Sequence, residues 1–560
     1  MYRIFQNCFM KKTRVLSLAV ASMLSVSAIA QATLGLISST PANEDGYVLF
    51  SPNFGTTTYL IDKCGYQVHS WPNTHQPGQS VYFMEDGSLL RTGRVNNQTF
   101  NAGGLGGIIE RIDWSGNVTW SYTISSASEC QHHDVHQLPN GNVLAIAYEL
   151  KTVAQATDAG RDPSQLGNAF WSEKIVEIQP QGTTGGTIVW EWHAWDHLVQ
   201  AFDATKANYA QVADHPELLD INYGGGTVSD WLHCNGLDYN EQLDQIVLSC
   251  HNHSEIWIID HSTTTAEAAA HAGGNSGKGG DFLFRWGNPQ VYGHGTAADQ
   301  KFFGQHNPRW IPSGYVDESK LMVFNNGLQR TGGNYSTVDV IAPVVDANGA
   351  YGMDANQMYL PQALSWTYSP TPTFYSMNIS GAQPLPNGHT LVCAGAQGTF
   401  MEVDYEGNMV WNYKSPVGQN GAIATQGGNA TQNSVFRCTQ YPIDYAGFTG
   451  LDLTPGVPIE LNPLAYDCNM LAAGVNESVF DVAVFRVNAT HPNELMITAG
   501  SALSQASVTL YDLSGRQLMS WSNVNMASGQ SSALNTPFAL NRGVYVISID
   551  GVGGVRFLVD

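Results

Sequence analysis

A degenerate unit recurs six times along this chain of 560 residues and constrains its fold more than any other feature. Each unit has an apolar strand, a second apolar strand that ends in an acid, and a third strand that closes on tryptophan. The second unit, for example, reads GSLLRTG, IIERID and GNVTWSY. The closing tryptophans are Trp71, Trp120, Trp190, Trp286, Trp366 and Trp411. The acids are Asp62, Asp113, Glu177, Asp260, Asp339 and Asp404.

These units predict an all-β fold. Their strands are short, rich in β-branched and aromatic residues, and bounded by Gly, Asn or Asp. Four-stranded blades of this kind stack radially, so we predict a six-bladed β-propeller over residues 45–445. A β-sandwich with coincidental tryptophan spacing is the alternative, which six matches in one internal order disfavour. Residues 427–444 lack a closing tryptophan, and we expect them to supply the inner strand of the first blade.

Composition limits the classes of partner. The formal charge is -23, from 24 basic and 47 acidic side chains. Phosphate backbones bind basic surfaces, so no nucleic-acid partner is expected. Hydrophobic residues make up 43 % of the chain, which excludes wholesale disorder.

Residues 1–30 are predicted to be a signal peptide. Lys11 and Lys12 precede an apolar run that ends in the cleavage pattern Ala28-Ile29-Ala30, so the mature chain is expected to begin near Gln31. The run is too short for a membrane anchor, and no other stretch is long and apolar enough. We therefore predict an exported protein without a transmembrane segment.

The chain has eight cysteines, and Cys8 lies in the predicted signal. An odd number remains, so at least one thiol is free or pairs between chains. Cys234 with Cys250, or Cys438 with Cys468, are candidate disulfides in an exported protein. The spacing leaves the pairing open.

The repeat ends near residue 445, about four fifths of the way along the chain. Residues 446–485 are rich in Pro, Asn and Leu without a clear period, and they are predicted to be a linker. Residues 486–560 change to alternating strands, among them ELMITAG, ASVTLYDLSGR and GVYVISI. This pattern predicts a small C-terminal β-sandwich.

Three histidines occupy matching positions in different repeats. Six residues before the proline of the L-P-N-G turn, or its equivalent, stand His133, His233 and His306, while Ser380 and Gln79 take this place in two other repeats. Equivalent positions of successive blades face one point on the axis, so we expect a ring of histidines at one mouth of the channel.

Two chemistries suit such a ring. Three imidazoles make a zinc site with an open position, or they hold an oxyanion while one of them acts as a nucleophile. The nearby donors Asn235 and Arg330 favour the second. Residues 192–197 (WHAWDH) and 214–217 (DHPE) have the composition of a lid or metal site, but a packed loop with aromatic anchors is favoured for them.

Several long motifs resemble the aryl-sulfate sulfotransferase family over residues 46–444. They are HHDVHQLPNGNVL, DWLHCNGLDYNEQLDQIVLS, EIWIIDHS, FLFRWGNPQVYG, FGQHNPRWIP and ISGAQPLPNGHTLV. The resemblance implies a six-bladed propeller that moves a sulfuryl group from a phenyl sulfate to a phenol, through a sulfated histidine and without a nucleotide or other cofactor. It implies His306 as the nucleophile and His233 and Asn235 as sulfate-holding groups, with His133 completing the ring.

One position departs from the family pattern. Relatives carry arginine in a motif like S-S-R-N, whereas this chain reads Ser249-Cys250-His251-Asn252. Histidine is mostly neutral at pH 7 and lacks the bidentate fork of arginine, so we expect weaker sulfate binding unless Arg330 or Arg437 compensates. The catalytic candidates are therefore His306, His233 and His133, and the substrate-binding candidates are Asn235, His251 and Arg330; no residue is assigned to a metal.

The C-terminal unit resembles the sorting domain of the type IX secretion system of the Bacteroidetes. The matching segments are YDLSGR at 511–516, GVYVISI at 543–549 and the ending at 556–560. With the signal peptide, the resemblance implies the type IX secretion machinery as a partner, and passage through the periplasm to the cell surface or the medium.

Three hypotheses follow. The first is an exported sulfotransferase that uses His306, with a small phenolic sulfate as donor and a phenol as acceptor. The second is a propeller that binds a sulfated or phenolic ligand without turnover, because of His251. The third is a metal-dependent hydrolase or lyase with the histidine ring as its metal site.

Overall fold

A computed structural model describes residues 32–370, 373–464, 485–491, 494–499, 502–512, 516–527, 530–540, 543–549 and 553–559. Its propeller has six antiparallel sheets, five of four strands and one of five, which are the six predicted blades. In blades 2 to 5 the strands run outward from the channel in chain order, and the inner strands of neighbouring blades contact one another. The all-β fold and the propeller are thus confirmed.

The strands between residues 47 and 193 belong to the first three blades. Blade 1 has β2 (Tyr47–Pro52), β3 (Thr58–Asp62) and β4 (Gln67–Trp71). Blade 2 has β5 (Pro77–Phe83), β6 (Leu89–Arg94), β7 (Gly107–Ile112) and β8 (Val118–Thr123). Blade 3 has β9 (Glu129–Gln137), β10 (Val143–Lys151), β11 (Phe170–Pro180) and β12 (Gly186–His193).

The other three blades follow a long insertion. Blade 4 has β15 (Cys234–Asn240), β16 (Gln245–Cys250), β17 (Glu255–Asp260) and β18 (Phe284–Trp286). Blade 5 has β19 (His306–Trp310), β20 (Leu321–Asn325), β21 (Thr337–Ile341) and β22 (Trp366–Tyr368). Blade 6 has β23 (Gly381–Pro384), β24 (Thr390–Ala394), β25 (Thr399–Val403) and β26 (Met409–Lys414).

Shorter elements of the described residues lie in the connections within, between and after the blades. Two α-helices and two short strands are α1 (Val153–Asp158), α2 (Thr265–Ala268), β13 (Leu198–Val199) and β14 (Leu219–Asp220). The 3₁₀ turns are Pro163–Gln165, Ala194–Asp196, Val212–Asp214, Pro289–Tyr292, Gly395–Gln397, Gln419–Gly421 and Ala446–Phe448. None of the helices in the described ranges is long and apolar enough to cross a membrane.

The propeller closes through β27 (Val435–Tyr441), which pairs with β2 as the inner strand of blade 1. This confirms the expectation for residues 427–444. At the other end of the chain, β1 (Gly35–Ser39) adds a fifth strand to blade 6 beside β26. Both ends of the propeller sequence are therefore held by backbone hydrogen bonds to a distant partner.

The closing tryptophans recur because each joins its blade to the next. Every one of the six donates its indole N–H, over 2.7–3.2 Å, to the next blade at or near the turn after its third strand. Trp411 completes the circle by donating to the Lys63 carbonyl of blade 1. Most of the repeated acids organise that turn, as Asp113 does by accepting from the Asn117 N–H. The core lies between adjacent blade faces, for example where Leu90 and Ile109 meet Val143.

The C-terminal strands form two antiparallel sheets. One contains β28 (Phe485–His491), β29 (Glu494–Ala499) and β32 (Ser531–Asn535). The other contains β30 (Leu503–Asp512), β31 (Gln517–Met526), β33 (Gly543–Ile549) and β34 (Gly553–Val559). Leu495 and Ile497 share one buried cluster with Val508 and Ile547, as expected for a sandwich.

The predicted domain limits remain predictions. Residues 446–464, the first part of the predicted linker, are ordered against the propeller through bridges of Tyr66 to Pro458 and Thr425 to Leu461. In the segment 511–516, residues 513–515 lie outside the described residues, as does Asp560.

Both candidate disulfides are wrong. Cys234, Cys250 and Cys438 are buried free thiols. Cys234 and Cys250 are cross-strand partners in β15 and β16, which explains their spacing without a bond. Among the described cysteines, Cys64 is the one in a disulfide.

Candidate active site

His233 and His306 lie where inner strands begin and His133 lies within β9, and the backbone at these positions is unusual. Gln79, His133, His233 and Ser380 all have positive φ, between 53° and 109°. In blade 5 the residue with positive φ is Asn307, at 53°, so the alignment that chose His306 is offset by one residue in backbone conformation. Left-handed non-glycine residues are uncommon and cluster at functional sites. Their recurrence shows that one structural position repeats around this mouth.

Four histidine side chains form a row rather than a closed ring. The ring centroids of His133 and His233 are 4.7 Å apart, those of His233 and His251 5.4 Å, and those of His251 and His306 5.5 Å. The structure thus brings together the three predicted catalytic histidines. It also places His251 between His233 and His306, at the centre of the row.

His306 is held in one tautomer. Its Nδ1 lies 2.7 Å from Asn326 Oδ1, and the Asn326 amide N–H₂ donates to the carbonyls of Ser376 and Ile379. Because those two bonds orient the amide, its oxygen faces His306, and Nδ1 must carry the proton. Burial, followed by the charge of His251, places the pKa of His306 well below its usual value. His306 is therefore a neutral imidazole with a lone pair on Nε2.

His233 is the cation of the row. Its Nδ1 donates to Asp230 Oδ2 at 2.5 Å, and the Tyr148 hydroxyl lies 3.3 Å from the same nitrogen. Burial lowers the pKa of His233, but the charge and hydrogen bond of Asp230 outweigh it, so the pKa is raised. Asp230 has a lowered pKa: burial works against this, and the charge of His233 prevails. This pair supplies positive charge to the row, with His251 between it and neutral His306.

His251 does not supply such a charge. Burial and the neighbouring His233 lower the pKa of His251 to about 4, so this imidazole is neutral at pH 7. Its Nδ1 lies 2.9 Å from Asn252 Oδ1. A Cβ at Gly304 would lie 2.9 Å from its Nε2, so the backbone of blade 5 covers one edge of the ring.

His133 is covered by a glycine turn and backed by a second histidine. Gly104, at φ +78°, accepts from the His133 N–H, and a Cβ there would overlap the His133 ring. Behind it, His132 Nδ1 lies 2.8 Å from His133 Nδ1, and His132 Nε2 lies 2.7 Å from Glu173 Oε2. Burial is the main reason that the pKa of His133 lies well below its usual value.

Arg437 occupies the channel beneath the row. It donates to Asp134 Oδ2 at 2.7 Å, to the Tyr82 hydroxyl at 2.8 Å and to the Asn235 carbonyl at 3.2 Å. The inner strands of four blades therefore meet on one guanidinium. A Cβ on Gly236 would lie 2.8 Å from this group, so glycine makes room for it.

The hydrogen bonds described for Asn235 and Arg330 go to groups other than the histidines of the row. The buried Asn235 amide donates to the Gln305 carbonyl at 2.8 Å, next to His306, so it supports the strand that carries the nucleophile candidate. Arg330 stacks on Tyr335, 4.3 Å from the ring centroid, and donates to Thr337 within blade 5. The roles of both as sulfate-binding groups stay predictions.

Sequence reasoning missed the residues that orient the histidines: His132, Tyr148, Glu173, Asp230 and Asn326. Two of them stand inside the motifs already noted, His132 in HHD and Asp230 in DWLH. Glu173 and Tyr148 come from the middle strands of blade 3, and only the fold reveals their approach. In the sequence, Glu173 and Tyr148 cannot be told from ordinary strand residues.

A different cluster has the geometry of a metal site. The ligand atoms of His197, His271 and Asp281 lie within 4.8 Å of one another. His197 belongs to the WHAWDH segment, and its Nδ1 and that of His271 lie 2.7 Å and 2.8 Å from Asp281 Oδ1. His197 also stacks on Trp192, in agreement with the packed-loop interpretation of this segment.

A cavity of about 460 Å³ opens at the opposite ends of the same inner strands. Tyr239, Arg309, Trp310 and Pro384 contribute to its lining, and no member of the histidine row does. The two mouths of the channel are therefore chemically different, and the histidines mark the mouth at which inner strands begin.

Comparison with known proteins assigns the chain to a family. A family model described as arylsulfotransferase (ASST) matches residues 23–438, well over half of the chain. None of the curated proteins compared with the chain matches it.

Solved structures share only distant likeness. A protein of unknown function from Bacteroides caccae is 10 % identical, with 71 % of this chain and 99 % of that one covered and a TM-score of 0.38. A putative 6-phosphogluconolactonase from Bacteroides fragilis is also 10 % identical over the same shares, with a TM-score of 0.35. A virginiamycin B lyase from Staphylococcus aureus is 9 % identical over 68 % of this chain and 88 % of that one, with a TM-score of 0.31.

Proposed function

Since the chain belongs to the arylsulfotransferase family, we propose that it moves a sulfuryl group from a phenolic sulfate ester to a phenol through a sulfated His306. The observation that carries this proposal is the hydrogen bond of His306 Nδ1 to the fixed oxygen of Asn326. It leaves Nε2 as the nucleophilic atom of a neutral imidazole in a row with a cationic histidine.

In the first half of the reaction, the lone pair of His306 Nε2 attacks sulfur. The N–S bond forms, the S–O bond to the aryl group breaks, and a phenolate leaves. In the second half, the acceptor oxygen attacks the same sulfur, the N–S bond breaks, and the phenol proton passes to a neighbouring histidine. A covalent intermediate splits one difficult step into two easier ones.

The charged group that holds the sulfate is His233. Its imidazolium is balanced by Asp230 and faces the centre of the row, where charge on the equatorial oxygens develops. Buried Arg437 adds positive potential from below, as its effect in lowering the pKa of His306 indicates, although burial and His251 are the larger causes. These groups stand in for the arginine that His251 replaces.

The test is phenolate release from a nitrophenyl sulfate by the purified mature protein, with and without added phenol. We expect a burst of phenolate and then acceptor-dependent turnover, both abolished in His306→Ala. His193→Ala is the matched control, because His193 pairs with Glu149 and Glu191 away from the row.

Two other results would each favour one of the remaining hypotheses, and a third would contradict the nucleophile. Tight binding of the sulfate ester without a burst would support the non-catalytic propeller. Activity that disappears on chelation and returns with a divalent metal would support a metal-dependent hydrolase or lyase. A burst that survives in His306→Ala would contradict this nucleophile.

We also propose export. The signal peptide predicted at 1–30 and the sorting domain predicted at 486–560 support passage through the periplasm to the surface or the medium, with the type IX machinery as partner.

A further inference from the structure

A buried chain of three titratable side chains leads away from the candidate site, and the sulfuryl transfer as described does not use two of them. Glu173, His132 and His133 are joined by contacts of 2.7 Å and 2.8 Å. All three side chains are at most 2 % exposed. The Tyr148 ring stacks on His132 with centroids 3.6 Å apart and planes 7° apart, which fixes the orientation of the middle imidazole.

The direction of both hydrogen bonds among these three side chains depends on whether Glu173 carries a proton. If Glu173 is a carboxylate, it accepts from His132 Nε2–H; His132 Nδ1 then accepts from His133 Nδ1–H, and His133 Nε2 carries a lone pair. If Glu173 is protonated, each bond reverses and His133 Nε2 carries a hydrogen. Among the described residues, nothing hydrogen bonds to His133 Nε2, the end of the chain on the side of the site.

We propose that Glu173 and His132 act through His133 as a proton relay that takes up the proton of the acceptor phenol and returns one to the leaving phenolate. This inference rests on the proposed sulfuryl transfer. When His133 Nε2 accepts the phenol proton, its Nδ1 proton moves to His132 Nδ1 and the Nε2 proton of His132 moves to Glu173. The reverse movement protonates the phenolate of the next donor, so one proton enters and one leaves in each cycle.

The relay solves an electrostatic difficulty of the row. A protonated His133 would be a second imidazolium 4.7 Å from that of His233, in a buried position. Passing the proton to Glu173 neutralises a buried carboxylate instead of creating a buried cation. Burial and the charge of Asp230 raise the pKa of Glu173 well above its usual value, and burial lowers the pKa of His132 to about 3.

The groups that act on the relay come from several blades. His233, His306 and Arg437 act on His133, whereas His233 and Asp230 act on both His132 and Glu173. Glu173 Oε1 also accepts from the Cys234 N–H at 3.0 Å, which holds the carboxyl group on β15.

Glu173→Gln separates the relay from a structural role. The amide keeps the shape and the bond from Cys234, but its N–H₂ faces His132 Nε2 and donates to it. His132 Nδ1–H must then donate to His133, and His133 Nε2 is locked as a donor that cannot accept a proton. Glu110→Gln is the control, because Glu110 is equally buried in the third strand of blade 2, where it pairs with Arg91 and His75.

Both variants and wild type are assayed with a nitrophenyl sulfate donor and two acceptors. One acceptor is an alkyl phenol, neutral at the assay pH, and the other is a polyfluorinated phenol that is already ionised. For Glu173→Gln we expect turnover to fall at least about 100-fold with the neutral phenol and to stay near wild type with the ionised one. Equal loss with both acceptors, or no loss with the neutral phenol, overturns the relay.

Neutron diffraction from deuterated crystals gives a readout independent of turnover. In wild type the deuteron of His133 should move from Nε2 to Nδ1 as pH rises through the pKa of the relay, and in Glu173→Gln it should stay on Nε2. A deuteron that stays on one nitrogen in wild type overturns the relay. If wild type releases no phenolate with any acceptor, the proposed function fails, and the diffraction result still decides the relay.

Discussion

At the scale of the residue, the four histidines of the row have the same side chain and differ in the groups that contact and orient it. Asn326 leaves His306 a nucleophilic Nε2, Asp230 makes His233 a cation, and burial beside that cation keeps His251 neutral. The same side chain thus has three different roles within a few ångströms. The role of each is decided by the group that contacts its Nδ1 and by the charges around it.

Donor affinity should therefore depend on the protonation of His233. Its folded-state pKa is raised, so the cation persists below that pKa, and we expect the KM for a phenyl sulfate to rise as pH rises through it. In His251→Arg a permanent guanidinium enters the row, and we expect KM near pH 7 to fall about tenfold and to lose most of this pH dependence. The measurement is KM against pH for both proteins. A His251→Arg profile parallel to wild type would contradict the assignment of His233 as the charge that holds sulfate.

At the scale of the element, the inner strands bring the chemistry together. Inner strands from blades 1, 2, 3 and 4 meet at Arg437, and glycine at 236 lets the guanidinium approach β15. Arg437 forms a buried ion pair with Asp134 in the channel. Removal of the arginine would leave Asp134 as an unpaired buried carboxylate. The outer strands are joined in a different way: each closing tryptophan donates its indole N–H to the next blade.

Arg437→Met should consequently destabilise the propeller by about 3–5 kcal/mol, because Asp134 loses its partner in the interior. Chemical denaturation gives the free energy of unfolding. Arg111→Met is the control: Arg111 pairs with the exposed Asp86, and an exposed pair contributes at most about 1 kcal/mol. Similar losses in the free energy of unfolding for the two variants would show that the buried pair of Asp134 contributes no more than an exposed pair.

At the scale of the whole molecule, the propeller is closed by its own ends. β27 returns to β2 as the inner strand of blade 1, and β1 adds to β26 as the outermost strand of blade 6. All contacts of the histidine row described above lie within the propeller. The C-terminal sheets have their own buried cluster, which includes Leu510 and Ile549.

Deletion of residues 486–560 should accordingly leave sulfuryl transfer intact and abolish export. We expect the truncated protein to be active after purification but to remain in the periplasm, whereas the full chain reaches the surface or the medium. Fractionation followed by the phenolate assay measures both. Export of the truncated chain would contradict the sorting domain, and loss of activity on truncation would contradict an independent propeller.

The sequence by itself determined the number of blades, their order and the strand that closes them. These are written as a periodic pattern of apolar strands, acids and tryptophans, and each member of the pattern has a local or nearest-neighbour partner. The same periodicity located His133 and His233, since equivalent positions repeat around the axis. It placed His306 one residue from the left-handed position, because the strand register of blade 5 differs.

Only the tertiary structure decided what those histidines do. Glu173, Asn326 and Arg437 act on them from other strands or blades, and no spacing along the chain encodes that approach, whereas Asp230 acts on His233 from three residues earlier in the chain. The free thiols of Cys234 and Cys250 were likewise decided by packing. A tautomer, a charge or a proton path depends on distances between a few atoms, and those distances exist only once distant parts of the chain have packed together.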